Sequence, residues 1–170
     1  FKDQLVYKEQ EVNVNLDLAH LKKLNAPIKL KIEKDGNQYL VTGSYYIPVD
    51  AFSSEKEPVK IEKTLASLPA SINTRVGTLS FTKNGNFKLK DGESLKAIIV
   101  SPDMAASGYA KALAVSQTSK TTTIAELVLK DEDPQRSIDY LNTLIKVYNR
   151  QANEDKNEIS FRTEQFINQR

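Results

Sequence analysis

Cysteine and tryptophan are missing from this 170-residue chain, and histidine and methionine occur once each. Without cysteine there is no disulfide framework, no thiolate metal site and no thiol nucleophile. The single histidine, His20, has no other histidine or cysteine to join it in a metal site or a proton relay, and it reads as an ordinary residue of a short helix. No run approaches 18 apolar residues and no signal-peptide pattern is present, so the chain itself reads as soluble. Charge of one sign is also lacking: 24 Lys+Arg stand against 22 Asp+Glu, for a net +2. No basic run interleaves with aromatics, which argues against a nucleic-acid partner. Only 6 glycines are present. None is followed by Lys-Ser or Lys-Thr, so a phosphate-cradling loop is excluded and no nucleotide or other cofactor is expected.

What is present is enough to fold. Apolar residues make up 39% of the chain, which supports one hydrophobic core, with or without an appendage. The run Glu11-Val12-Asn13-Val14-Asn15-Leu16 alternates as a strand does. Asp17 is placed to cap a short helix through Leu24, which Pro27 ends. Ile28, Leu30 and Ile32 alternate with charged residues, Asp35-Gly36 supplies a turn, and Tyr39 to Ile47 returns as the second arm of a hairpin. Residues 48–58 read as a surface loop. Strands are expected at Val59–Leu65, at Val76–Thr82 and, as a short arm after the Asn84-Gly85 turn, at Phe87–Leu89. Leu68-Pro69-Ala70-Ser71 reads as a break. Leu95–Val100 reads as an apolar strand of the buried kind. A helix follows at about 103–110, then a short strand at Leu113–Ser116, and Thr122–Leu129 reads as an inner strand. The expected class is α+β: a mainly antiparallel or mixed sheet base over residues 1–133, with short helices at about 17–24 and 103–110, followed by one long C-terminal helix over 134–170.

That last helix carries the strongest pattern. Beyond Pro134 there is neither proline nor glycine. Ile138, Ile145, Ala152, Ile159 and Phe166 recur every seven residues. Leu141 and Tyr148 continue the matching second row until Asp155 and Arg162 break it. Such a stripe suits packing against another helix. The lower part, Ile138 to Tyr148, is expected to bury against the sheet, and the upper part, with Ala152, Ile159 and Phe166, to seek a helical partner. The chain starts at Phe1 rather than Met, and no Gly, Asn or Pro closes the helix at Arg170. It reads as cut from a longer protein at both ends.

Few residues invite chemistry. Asp131, Glu132 and Asp133 lack the spacing and the glycine of a calcium loop; they fit a helix start, with Asp133 as N-cap and Pro134 in the first turn. The Ser/Thr-rich 116–123 segment has no readable His-Asp partnership, and no metal, cofactor or catalytic set is expected. Tyr45, Tyr46 and Phe52 form an aromatic patch able to stack on sugar rings, or simply to pack on the sheet.

The run Thr123-Ile124-Ala125-Glu126-Leu127-Val128-Leu129-Lys130-Asp131-Glu132-Asp133-Pro134 leads into a helix containing Leu141-Asn142-Thr143-Leu144-Ile145-Lys146-Val147-Tyr148-Asn149. Lys156-Asn157, Thr163 and Phe166-Ile167 follow at matching places. This series resembles the periplasmic region of the chain-length-determinant family, the polysaccharide co-polymerases of Wzz/Wzc type. Val76–Thr82 and Gly108–Leu113 resemble the larger Bacteroides-type capsule and exopolysaccharide proteins, which are often fused to a cytoplasmic tyrosine autokinase. The resemblance implies a non-catalytic scaffold at the periplasmic face of the inner membrane. Its parent would be membrane-anchored on both sides and self-assembled into a homo-oligomer, working with a polysaccharide polymerase or export channel and with the polysaccharide as a further candidate partner. The kinase, if the parent has one, lies outside this chain. Two other readings fit a β-rich domain: a glycan- or protein-binding surface module, and the periplasmic adaptor of a secretion system.

Overall fold

The computed structural model describes residues 5–50, 54–119 and 123–168. The chain divides into two compact units, one of Lys8–Ala110 and one of the chain from Lys111 onward together with the segment preceding Lys8. The class is α+β, with antiparallel sheets and a long C-terminal helix.

The Lys8–Ala110 unit is built on two antiparallel sheets. Strands β1 (Val12–Leu16), β6 (Gly77–Lys83) and β5 (Ala70–Thr74) form one in the order β1-β6-β5. Strands β4 (Lys56–Leu65), β3 (Gln38–Pro48), β2 (Ile28–Asp35) and β7 (Ser94–Ile99) form the other in the order β4-β3-β2-β7. Alternation along each strand sends one set of side chains inward. Ile28, Leu30 and Ile32 of β2, Val41 and Tyr45 of β3 and Ile61 of β4 join Val12, Leu16, Ile72, Leu79 and Phe81 in a single apolar cluster. Each large aliphatic or aromatic side chain so buried contributes about 1.5–3 kcal/mol before chain entropy is counted. The expected hairpin forms, with Gly36 at φ +57 at its tip, the positive value that hairpin turns favour. Short helix α1 (Leu18–Leu21) follows β1, and α2 (Pro102–Ala112) follows β7.

Four expectations for this unit need correction. The loop expected over 48–58 gives Pro48 to β3 and residues 56–58 to β4. Ala70–Thr74 is a strand, not a break; its pairing with β6 supplies hydrogen bonds that local sequence does not advertise. Phe87–Leu89 is not in a strand. β7 is not doubly buried: it pairs only with β2, at the edge of its sheet, and its side chains alternate between exposed and half-buried. An edge strand of a two-layer structure needs one apolar face only.

The deepest polar group in this unit is Glu11, just before β1, at 2% exposure. A carboxylate removed from water costs several kcal/mol unless it is paired and hydrogen-bonded. Glu11 is both. Tyr39 Oη donates to its Oε1 at 2.7 Å, and the Leu89 N–H donates to Oε2. Lys34 Nζ donates to both oxygens at 3.4 Å, and Lys83 Nζ lies 3.8 Å away. The Asn84 N–H also donates to the Glu11 carbonyl at 2.6 Å. One side chain thus ties the start of β1 to β2, β3, the end of β6 and the 84–93 connection. Burial pushes the Glu11 carboxyl up, but its donors outweigh that and hold it below its ordinary value of 4.5. Burial and the Glu11 carboxylate together push the Tyr39 phenol up to about 12.

The second unit contains strands β8 (Leu113–Gln117) and β9 (Ala125–Leu129), paired as an antiparallel hairpin, and helix α3 (Pro134–Asn168). β9 is therefore half of a two-stranded sheet, not an inner strand. Thr122, where that strand was expected to begin, lies outside the described residues. In register, Leu113, Val115, Leu127 and Leu129 share one face of the hairpin. Tyr7 Oη donates to Asp139 Oδ2 at 3.0 Å, tying the segment before Lys8 to the first turns of α3.

Glu11→Ala is expected to lower the unfolding free energy by about 3–5 kcal/mol, because it strands buried donors. Urea denaturation measures this, and a loss below about 1 kcal/mol would refute the clamp. Because the Glu11 carboxyl is depressed in the folded state, its contribution is present above the ordinary carboxyl value. It falls away as pH drops below about 4.5 through the folded value. Wild-type stability should therefore decline on acidification more steeply than that of Glu11→Gln.

Candidate functional site

The part of the chain that offers most to another molecule is α3. Its start is fastened locally. Asp133 is the N-cap: its Oδ1 accepts the Arg136 N–H at 2.9 Å and its carbonyl accepts the Ser137 N–H at 3.2 Å. Pro134 then fills a position where no N–H is needed. Asp131 is turned in, gripped by both the Nε and Nη2 of Arg136, and it accepts the Asp133 N–H at 3.3 Å. The Arg136 guanidinium outweighs burial and holds the Asp131 carboxyl below its ordinary range. These oxygens are committed to the helix start. Among the described residues no cluster of His, Cys, Asp or Glu is placed to hold a metal ion.

Above that start α3 runs for 35 residues, a length of about 52 Å at 1.5 Å per residue. No described side chain on it is fully buried. Within its own unit Ile138 and Ile145 are 50% and 45% exposed, and Tyr148 is more exposed still. The half-buried positions of this lower part are Arg136, Ser137, Asp139, Tyr140, Leu141 and Leu144; the 3-1-3 spacing of Ser137, Tyr140, Leu141 and Leu144 marks a helix face that shares Leu141 with the stripe and otherwise lies about one residue from it. Of the stripe, Ile138, Ile145, Tyr148, Ile159 and Phe166 stay at the surface. Ala152 is half-buried, while Ile159 and Phe166 are 64% and 60% exposed. Positions seven apart drift by about 20° per heptad on a straight helix, so a strict repeat of seven is matched to a supercoiled partner. The exposed upper half is supported by helix-local bonds. Arg162 pairs with Glu158, Arg150 Nε lies 4.0 Å from Glu154, and Ser160 and Thr163 donate to carbonyls four residues back. Ion pairs at this spacing add about 0.2–0.5 kcal/mol each.

The aromatic patch separates. Tyr45 belongs to the core, where its hydroxyl oxygen accepts the Arg75 N–H at 3.3 Å; it has no face to give a sugar. Tyr46 points the other way and is exposed. It lines a small open cavity of about 180 Å³ with His20, Lys23, Leu24 and Val76. Phe52 lies outside the described residues.

His20 is less plain than a lone histidine suggests. Asp17 caps α1 by accepting the His20 N–H at 3.1 Å, and the same Oδ1 lies 2.7 Å from His20 Nδ1. Its other oxygen accepts the Thr78 N–H at 3.0 Å. The histidine ring and the backbone donors together hold the Asp17 carboxyl down at about 2. An ionised carboxylate can only accept, so the proton of this contact sits on Nδ1. Gly77, at φ +123, makes room for this clasp: a Cβ there would sit 2.7 Å from both Asp17 Oδ2 and His20 Cβ. The place of Asp17 before Leu18 signalled a cap; the Gly77 clearance around the ring contact depends on a strand sixty residues away. Glu11 had no signal at all, since in the run Glu11-Val12-Asn13 it reads as one of the outward polar residues.

No protein-family model, curated protein or solved structure matches this chain. Among the described residues no helix is long and apolar enough to cross a membrane.

The Asp17 carboxyl should titrate near about 2 when followed by carbon-detected NMR; a midpoint close to 3.8 would remove the clasp. Gly77→Ala should raise that midpoint, because it displaces both members of the pair.

Proposed function

We propose that this chain is the periplasmic, non-catalytic part of an inner-membrane protein that regulates the chain length or export of a capsular or exopolysaccharide. The supporting observation is the placement of the residues that carry the family resemblance. Ala125–Leu129 form β9, Asp133-Pro134 start the helix, and Leu141 to Asn149 lie on α3. On the same helix the stripe of Ile138, Ile145, Ile159 and Phe166 stands at the surface. A row of apolar side chains on a helix that its own unit leaves exposed is suited to a helical partner. In this reading that partner comes from the homo-oligomer of the parent protein, and the assembly meets the polymerase or export channel. No reacting group is required of the chain; its work is to hold a geometry.

The test is polymer length in the producing organism. Removing this region from the gene should shift the length distribution of the surface polysaccharide on a gel. Ile159→Lys combined with Phe166→Lys should shift it in the same direction while the purified chain keeps its circular dichroism spectrum. An unchanged distribution in both strains defeats the proposal. So does a parent gene with no membrane-spanning segment flanking this region.

A further inference from the structure

The outer face of the four-stranded sheet, opposite the core, gathers charge of one sign. Strand register places Lys96, Lys31, Thr42 and Glu62 side by side in one row across β7, β2, β3 and β4. The next row is Ile98, Lys29, Ser44 and Lys60. Lys29, Lys31, Lys60 and Lys96 are all exposed. With strands about 4.8 Å apart and about 3.4 Å per residue along them, the four backbone positions fall within about 16 Å. Lys31 lies directly opposite Lys96, a like-charge cross-strand pair that works against the sheet. Two acids lie in these rows or the adjoining one. Glu33 takes one ion pair, 2.6 Å from Lys31 Nζ, and Glu62 stands opposite Thr42. The balance remains four cations to two anions on a chain whose overall charge is only +2. Lys29, Lys31, Thr42, Ser44, Lys96 and Ile98 line a shallow open depression of about 300 Å³.

We propose that this face binds an acidic polysaccharide segment, its carboxylates set against the lysines and its hydroxyls against Thr42 and Ser44. The choice of polymer rests on the proposed role in polysaccharide assembly; the choice of an acidic one rests on the face itself. Ammonium groups on flexible stems act as point charges, matched to repeated carboxylates more than to planar two-point recognition of phosphate, which arginine performs better. The two rows contain no arginine and no aromatic platform for bases. Ile98 alone is a small apolar element for a membrane surface, and next to Lys29 it can meet the apolar face of a sugar ring.

The experiment uses the 170-residue chain with oligogalacturonate as the acidic probe, neutral dextran oligomers as the control, and vesicles containing anionic lipid as the competing surface. Oligogalacturonate should bind, more weakly as salt is raised, and dextran should not. Lys31→Glu should weaken binding roughly tenfold or more, since it reverses a charge inside the site. Lys31→Glu gives up the exposed Lys31–Glu33 pair and gains attraction to Lys96 across the strands, so the unfolding midpoint should change little; lost binding with a midpoint near that of wild type separates lost binding from lost folding. Lys96→Glu should weaken binding likewise. Equal binding by wild type and Lys31→Glu, equal binding of dextran, no binding of oligogalacturonate, or binding to the vesicles in preference to it each overturns the inference. If polymer length still responds to removal of the region, only the acidic-polymer site has failed. If it does not respond, the regulatory reading has failed with it.

Discussion

The Lys8–Ala110 unit depends on one buried carboxylate. Its sheets meet through apolar side chains, and apolar contact does not dictate register or which loop closes over which edge. Glu11 supplies that information. Its two oxygens require a phenol from β3, a backbone N–H from the 84–93 connection and an ammonium from β2, all at once. Any slip of β1 against β6 leaves a charge in the interior without donors, at a cost of several kcal/mol against a total stability of roughly 5–15. The Tyr39 hydroxyl is bound by the same condition, which is why its proton is held to about pH 12. Positions that pack around this knot can then be ordinary.

The other unit is organised on the opposite principle. Nothing on α3 is buried as Glu11 is, and its order comes from its own turns: the Asp133 cap, the Arg136–Asp131 fork and i,i+4 pairs. A two-stranded hairpin is marginal by itself, and β8–β9 has apolar residues such as Val115 and Val128 at its surface. A helix averages about 11–12 residues in globular proteins, so 35 residues bearing a seven-residue apolar repeat carry more surface than a hairpin can cover. The two units thus divide the labour: one is closed around its own polar clamp, and one presents apolar surface that a larger assembly can use.

How much of this was legible in the sequence follows from the range of each interaction. The β2–β3 hairpin, the Asp133-Pro134 start and the length of α3 are set by residues within a few positions of one another, and they were readable. β5 was not, because Ala70–Thr74 has little strand character and exists through its pairing with β6. Glu11 was not, because its meaning lies in Tyr39 and Leu89, 28 and 78 positions away. The stripe on α3 was readable as a repeat, but which of its neighbours the unit shields was not: Tyr140 and Leu144 are half-buried where Ile138 and Ile145 are exposed, a difference decided by packing, not by periodicity. Tyr45 and Tyr46 show the same limit, since adjacent residues on a strand must face opposite ways and only the register says which one is inside.

The lysine rows extend this argument to function. Lys29 and Lys31 on β2 look, in sequence, like the polar half of an alternating strand, and any solvent-facing strand would show them. What makes the face unusual is that β7, sixty-five residues later, brings Lys96 to Lys31 and leaves Ile98 beside Lys29. Had β7 been doubly buried, a further layer would cover this face and the charges could not stand there. Because β7 is an edge strand with one apolar side, the sheet has one face closed by the core and one face open with concentrated positive charge. A neutral solvated face would be served better by alternating signs across the strands. A repeated anion is the kind of ligand whose charges complement this pattern.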